Sequence, residues 1–256
     1  MSRRPYGVLI LHGFTDSIDA VGRIEPPLRA LGLPTCMPVL RGHGADSPEA
    51  LRGVTWHEWV SDGETALQDL LAGVEKAIVI GYSMGGLVAI TLAAQHPDTI
   101  DSIVLAAAVV QIESPFAPGR PLRFLAPLIV RLFRKWDMPP VYVDPELAKH
   151  HNNYPWAPTD AIASLLAFSE AARNRLSEVT TPALILQSRK DSTAAPECVD
   201  IIYNGIATPA DKKRIVWFEK TEHEMFRDCE RDAIVGVITD YVRERISPDV
   251  FQKAVS

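Results

Sequence analysis

The sequence predicts an α/β protein: a mostly parallel sheet of about six or seven strands with helices on both sides. Three observations carry this. Short β-branched runs alternate with longer helix-like segments along the 256 residues. Most of these runs are apolar at every position, which marks strands covered on both faces. The pentapeptide Gly81-Tyr82-Ser83-Met84-Gly85 stands between one such run and a helix-like segment, as a sharp strand-to-helix turn requires.

The expected strands are 6–11, 34–39, 76–80, 102–107, 183–187 and 214–218, and the expected helices 21–31, 55–72, 83–95, 197–206 and 230–245. Right-handed crossovers follow from the alternation, and ligands of such sheets bind beyond the carboxyl ends of the strands. Residues 110–178 break the rhythm. They are rich in proline and hold no convincing core strand, but carry an amphipathic segment near 122–133 and a helix near 159–176. So long a structureless loop is uncommon in a compact domain. The expected organisation is therefore a core from 1–109 and 179–256 with a mostly helical lid at 110–178. The alternative is that these helices simply pack on the sheet edge.

Gly81 and Gly85 leave room where a strand end meets a helix start, and the backbone between them is strained. That strain pushes the Ser83 hydroxyl towards substrate, making it the candidate nucleophile. A serine needs a base, and the base an orienting acid, in the chain order Ser, acid, His for this sheet type. His223 follows the last strand and is the only histidine beyond residue 151. It is the expected base. Asp191, in the turn after the 183–187 strand, is the expected acid, ahead of Asp200 and Asp228. His12 and His43 read as loop anchors, and His57, His96, His150 and His151 as surface or lid residues without metal-ligand spacing. Two backbone donors should face the developing oxyanion: the Met84 N–H at the helix start and the Phe14 N–H after the first strand, where Gly13 allows close approach.

Composition narrows the partners. A formal charge of −6 with no Lys/Arg block argues against nucleic acid or an anionic membrane. Cys36, Cys198 and Cys229 are odd in number and far apart, which fits a reducing, cytoplasmic setting. The apolar stretch from 122 to 133 is broken by Arg123, Pro127 and Arg131, so no integral membrane segment is expected. Neither a cofactor nor a metal is called for, and oligomeric state is left open.

With these residues placed, the chain resembles the α/β-hydrolase superfamily, within it the small bacterial carboxylesterases and monoacylglycerol lipases. The likeness runs nearly end to end. It rests on His12-Gly13-Phe14-Thr15, Arg41-Gly42-His43-Gly44, Thr55-x-x-x-Trp59-x-x-Asp62, the Gly81–Gly86 turn and Ile201-Ile202-Tyr203-Asn204-x-Ile206. The resemblance implies hydrolysis of carboxylic esters through an acyl-enzyme, with Ser83, Asp191 and His223 as the triad. It also implies a lid whose apolar side chains take the acyl group, with Leu125, Ile129, Phe133 and Trp156 as candidates. The chain departs from the family pattern at Asp16, at Ser192-Thr193-Ala194-Ala195, and at Glu222 and Glu224 beside His223. The stretch Tyr154-Pro155-Trp156-Ala157-Pro158 lacks the carboxylate that monoacylglycerol lipases place there, so a general carboxylesterase for short- to medium-chain acyl esters is favoured. Other acyl bonds (lactone, thioester, amide) and a non-catalytic binding protein on the same scaffold remain alternatives.

Overall fold

The structure is a computed structural model that describes residues 3–116 and 119–247; residues 1–2 and 248–256, the ends of the expected core ranges, lie outside the described residues. Its strands are β1 (Arg4–Leu11), β2 (Thr35–Cys36), β3 (Val74–Tyr82), β4 (Ile100–Ala106), β5 (Lys135–Asp137), β6 (Trp156–Pro158), β7 (Ala183–Ser188) and β8 (Lys213–Phe218). The helices are α1 (Glu25–Ala30), α2 (Trp56–Leu71), α3 (Met84–Gln95), α4 (Ala126–Leu132), α5 (Pro145–Ala148), α6 (Thr159–Asn174), α7 (Cys198–Gly205) and α8 (Arg231–Ile246).

Six strands form one parallel sheet in the order β2-β1-β3-β4-β7-β8. The continuous apolar runs are explained by two cores. Leu9, Leu11, Ala77 and Val79 face one side, with residues of α2, α3, α6 and α7. Val8, Ile10, Ile78 and Ile80 face the other, with residues of α1 and α8. β1 and β3, at the centre of the sheet, therefore bury both faces, whereas the edge strands β2 and β8 are only partly covered. After β1 the chain runs one way to β2 and then returns to lay β3 on β1's other side. The crevice at that reversal, beyond the carboxyl ends of β1 and β3, is where such sheets bind ligands.

Two elements are shorter than the sequence suggests. The 34–39 strand pairs only at Thr35 and Cys36. Pro38 has no N–H to give to a ladder, so pairing stops before it. The 21–31 helix begins as a 3-10 turn and becomes α-helical at Glu25, with proline in its first turn. Proline suits that turn, where its missing N–H has no helical partner to lose.

The segment between β4 and β7 is helical for the most part, but β5 and β6 add a small antiparallel ladder with Trp136 opposite Ala157. Helix α6 serves two surfaces. Its Ala161, Leu165, Phe168 and Ala172 join the main core. Phe168 stacks on Trp56 at 5.1 Å, and Ser169 Oγ donates to the Val109 carbonyl at 2.8 Å. Ile162, Ala163 and Leu166 face a cavity above the sheet. Among the described residues no helix is long and apolar enough to cross a membrane.

Candidate active site

Ser83 sits between β3 and α3 with φ 53° and ψ −115°. A non-glycine residue with positive φ is strained, at a cost of about 1–3 kcal/mol. Close packing on both sides holds it there. A Cβ at Gly85 would lie 2.3 Å from the Leu11 carbonyl oxygen, and one at Gly81 2.3 Å from the Gly85 carbonyl oxygen. Only glycine lets β1, β3 and α3 approach this closely. Ser83 N–H donates to the Ala106 carbonyl at 2.9 Å, tying the turn to the end of β4.

The three separated side chains meet here. His223 Nε2 lies 2.9 Å from Ser83 Oγ, and His223 Nδ1 lies 2.9 Å and 3.1 Å from the two oxygens of Asp191. With Nδ1–H donated to the carboxylate, a neutral ring leaves Nε2 to accept the serine proton. Asp191 is held in turn. Its Oδ1 accepts the N–H groups of Thr193 and Ala194 at 2.9 Å and 2.8 Å, and its Oδ2 accepts Gln187 Nε2–H at 3.1 Å. Glu222 takes a different place. Its Oε2 accepts the N–H groups of Ser192 and His223, so it ties the two loops together and leaves the ring to Asp191.

Burial opposes charge on the His223 ring. The Asp191 carboxylate outweighs it by charge and hydrogen bond, with Glu224 and Asp16 adding, and the imidazole rises to about 9. Asp228, set aside on sequence grounds, braces this loop. Its carboxylate accepts the N–H groups of Glu222, Cys229 and Val143 at 2.7, 2.9 and 2.9 Å. Burial would raise it, but these donors hold it below the usual carboxylate range.

The loop after β1 is anchored from beneath. His12 Nδ1 donates to the Gly13 carbonyl at 2.8 Å, and its Nε2 accepts the Leu40 N–H at 3.0 Å. Burial lowers His12 to about 4, so the ring is neutral, as this bonding pattern needs. His43 contacts the Leu40 and Arg41 carbonyls, and burial, with His12 adding, lowers it to about 3. Phe14 turns its ring inward, 5.7 Å from Trp59 and 6.0 Å from His43. Its backbone is thereby fixed at the carboxyl end of β1. Among the described residues, neither the Phe14 nor the Met84 N–H donates a loop or cap hydrogen bond. Trp59 and Asp62 of α2 both hold Arg41, by Nε1–H to its carbonyl at 3.0 Å and by carboxylate to its N–H at 2.7 Å.

Ser83 and His223 open into a cavity of about 480 Å³. Its wall is chiefly apolar: Val109, Ile112, Phe116, Val130, Trp136, Met138, Ile162 and Leu166. Of the four side chains expected to line it, Ile129 does so; Leu125, Phe133 and Trp156 do not. The reason is the length of α4, seven residues from Ala126 to Leu132. The position four before Ile129 falls in a 3-10 turn that leads into α4, and the position four after it lies past the helix end in extended backbone, where Phe133 is exposed. Trp156 is drawn to the small ladder, its ring 5.6 Å from the Lys135 ammonium. Sequence periodicity could not reveal this, because it presumes that the helix continues. A polar corner of the cavity holds Asp16, Asn153 and Glu224. The sequence marked two of these as departures but gave no sign that they meet.

Fold and site together define a serine hydrolase of the α/β-hydrolase class. The chain belongs to the Hydrolase_4 family ("Serine aminopeptidase, S33"), whose model matches residues 5–230. It is thus a serine hydrolase of the esterase/lipase family. It is similar to the thermostable monoacylglycerol lipase of Bacillus sp. (strain H-257), 29% identical over 233 residues, which span 90% of this chain and 88% of the relative. It is also similar to a carboxylesterase of Bacillus subtilis (strain 168), 29% identical over 241 residues, with 93% of this chain and 92% of the relative covered. Among solved structures, a metagenome-derived lipolytic enzyme from the LipS and LipT pair superposes with a TM-score of 0.85 at 26% identity, covering 94% of this chain and 95% of that one. The monoacylglycerol lipase of Paleococcus ferrophilus has the same fold, with a TM-score of 0.77 at 19% identity over 95% and 96% of the two chains.

Proposed function

We propose that this chain is a carboxylesterase that cleaves short- to medium-chain acyl esters through an acyl-enzyme, with Ser83 as nucleophile, His223 as base and Asp191 as its orienting acid. The observation that carries the reading is the continuous chain Ser83 Oγ–His223–Asp191, with hydrogen-bond distances of 2.9 Å at both junctions, at the floor of an apolar cavity. The geometry supports a reaction in two stages. Ser83 Oγ attacks the ester carbonyl as its proton passes to His223 Nε2. The Met84 and Phe14 N–H groups receive the oxyanion. The imidazolium then protonates the departing alkoxide. Water repeats the sequence on the acyl-enzyme and releases the acid. Asp191 stabilises the charged ring throughout.

The apolar wall suits an acyl chain, and we assign residues 110–178 the role of a lid over it. Monoacylglycerols belong among the substrates to be tested, as do lactones and thioesters. The free cysteines fit a cytoplasmic setting. Ser83→Ala should abolish hydrolysis of p-nitrophenyl esters from acetyl to palmitoyl and remove labelling by a fluorophosphonate, with an unchanged circular dichroism spectrum. Activity near that of the parent protein would refute the nucleophile.

A further inference from the structure

His223 is surrounded by more charge than its orienting acid. Asp191 bonds the ring from the β7 loop, and the charges of Glu224, on its own loop, and Asp16, on the β1 loop, act on it without contact. Asp16 and Glu224 are 4% and 7% exposed and line the same cavity as Ser83 and His223. Arg227 gathers them: its Nη1 lies 3.7 Å from Asp16 Oδ1 and 3.9 Å from Glu224 Oε2. The same guanidinium donates to the side-chain carbonyls of Asn153 and Asn152 at 2.6 Å and 2.9 Å, and Asn153 donates to Glu224 Oε1 at 3.3 Å. The other neighbours are bound in different ways. Tyr82 from β3 donates its hydroxyl to the His223 carbonyl at 2.9 Å, Glu222 holds the His223 N–H, and Asp228 holds the backbone of the loop. His151, across the cavity, is lowered by burial to about 4 and so is neutral.

Two features set Asp16 apart from a carboxylate placed only for packing. Its Oδ1 is buried without a hydrogen bond among the described residues, an arrangement that costs stability. Its Oδ2 lies against Gly13, where a Cβ would come within 2.5 Å of it, so the carboxyl is wedged behind the loop that carries Phe14. Apolar side chains of similar size would fill such a space at lower cost.

We propose that Asp16 and Glu224, gathered by Arg227, are positioning residues for the hydrolysis, acting on His223 through space without touching a reacting atom. This inference rests on the reading of Ser83 as nucleophile and His223 as base. Negative charge beside the imidazole favours its protonated form, whereas taking the serine proton needs the neutral form. The pair therefore delays the onset of activity as pH rises. Burial favours the protonated form of both carboxyls, and Glu224 pushes Asp16 further up while Arg227 opposes it. Burial still holds both above the usual carboxylate range, while the Arg227 guanidinium and the His223 ring favour their ionised forms.

The test is the pH profile of kcat/KM for p-nitrophenyl butyrate in Asp16→Asn and Glu224→Gln. The acid limb should move to lower pH by about one unit in each. A second readout needs no turnover: the His223 ring is titrated by nitrogen NMR in Ser83→Ala, alone and combined with each substitution, and its midpoint should fall likewise. If one variant fails to fold, the other variant and the ring titration decide. An acid limb and ring midpoint unmoved by either substitution overturn the inference while leaving the proposed function intact. Esterase activity surviving in Ser83→Ala would instead overturn the proposed function.

Discussion

Replacing Gly81 with alanine puts a carbon where the fold already has main chain. A Cβ there would lie 2.3 Å from the Gly85 carbonyl oxygen, 2.6 Å from its carbonyl carbon and 2.7 Å from the Cα of Gly86. Favourable carbon contacts lie near 3.5–4.0 Å, so the end of β3 and the start of α3 must part by roughly 1 Å. All three obstructing atoms are backbone, so no side chain can swing aside. Overpacking a core costs about 1–3 kcal/mol even when side chains can adjust, and this site belongs at or above the upper figure. A loss of about 3 kcal/mol is a large share of the roughly 5–15 kcal/mol that holds a native protein together. Urea unfolding followed by circular dichroism reads it as a midpoint lowered by about 1 M or more, for a slope of about 1–3 kcal/mol/M. Gly236→Ala is the control. Position 236 is exposed in α8 with nothing within 4 Å of a Cβ, so this change should gain about 0.5–1 kcal/mol. A Gly81→Ala protein with the parent midpoint and esterase rate would refute the steric reasoning.

Asp191→Asn should lower kcat by about 10⁴, because the ring loses both its orientation and the stabilisation of its charge; a minor loss would refute the role given to Asp191. Ile162→Trp should fill part of the cavity and cut the octanoate-to-acetate rate ratio by roughly tenfold or more, whereas an unchanged ratio would place the acyl chain elsewhere. The buried rings of His12 and His43, lowered by burial to about 4 and about 3, predict acid lability. The unfolded chain takes up these protons first, so the two rings contribute full stability above about pH 6.5 and lose it as pH falls towards those values. Urea unfolding at pH 7, 5.5 and 4.5 should show this decline, and His43→Asn should flatten it; an equally steep decline in the variant would remove His43 from the account.

Much of the fold was legible because strands covered on both faces must be apolar throughout. Val8 to Leu11 and Ala77 to Ile80 could hardly be anything else, and Leu9 and Ile10 do serve opposite cores. The expected helix 55–72 is α2 at Trp56–Leu71, and the structure shows what fixes its start, a reciprocal cap between Thr55 and Glu58. Length was harder to read where proline intervenes, as at Pro38, or where a short helix ends before its pattern does, as α4 does at Leu132.

The sequence by itself singled out the side chains to which the proposed function assigns the reaction: a serine pinched between two glycines, a histidine after the last strand and an acid after the strand before it. These rest on short-range sterics and chain order, which a linear reading retains. Tertiary structure alone decided what surrounds them. It brought Asp16, Glu224 and Arg227 together from two loops more than 200 residues apart in the chain, with Asn153 across from them. It also turned Phe133 and Trp156 away from the cavity that Ile129 lines. Electrostatics and pocket shape depend on distances through space, and chain separation carries no record of those until the sheet has folded.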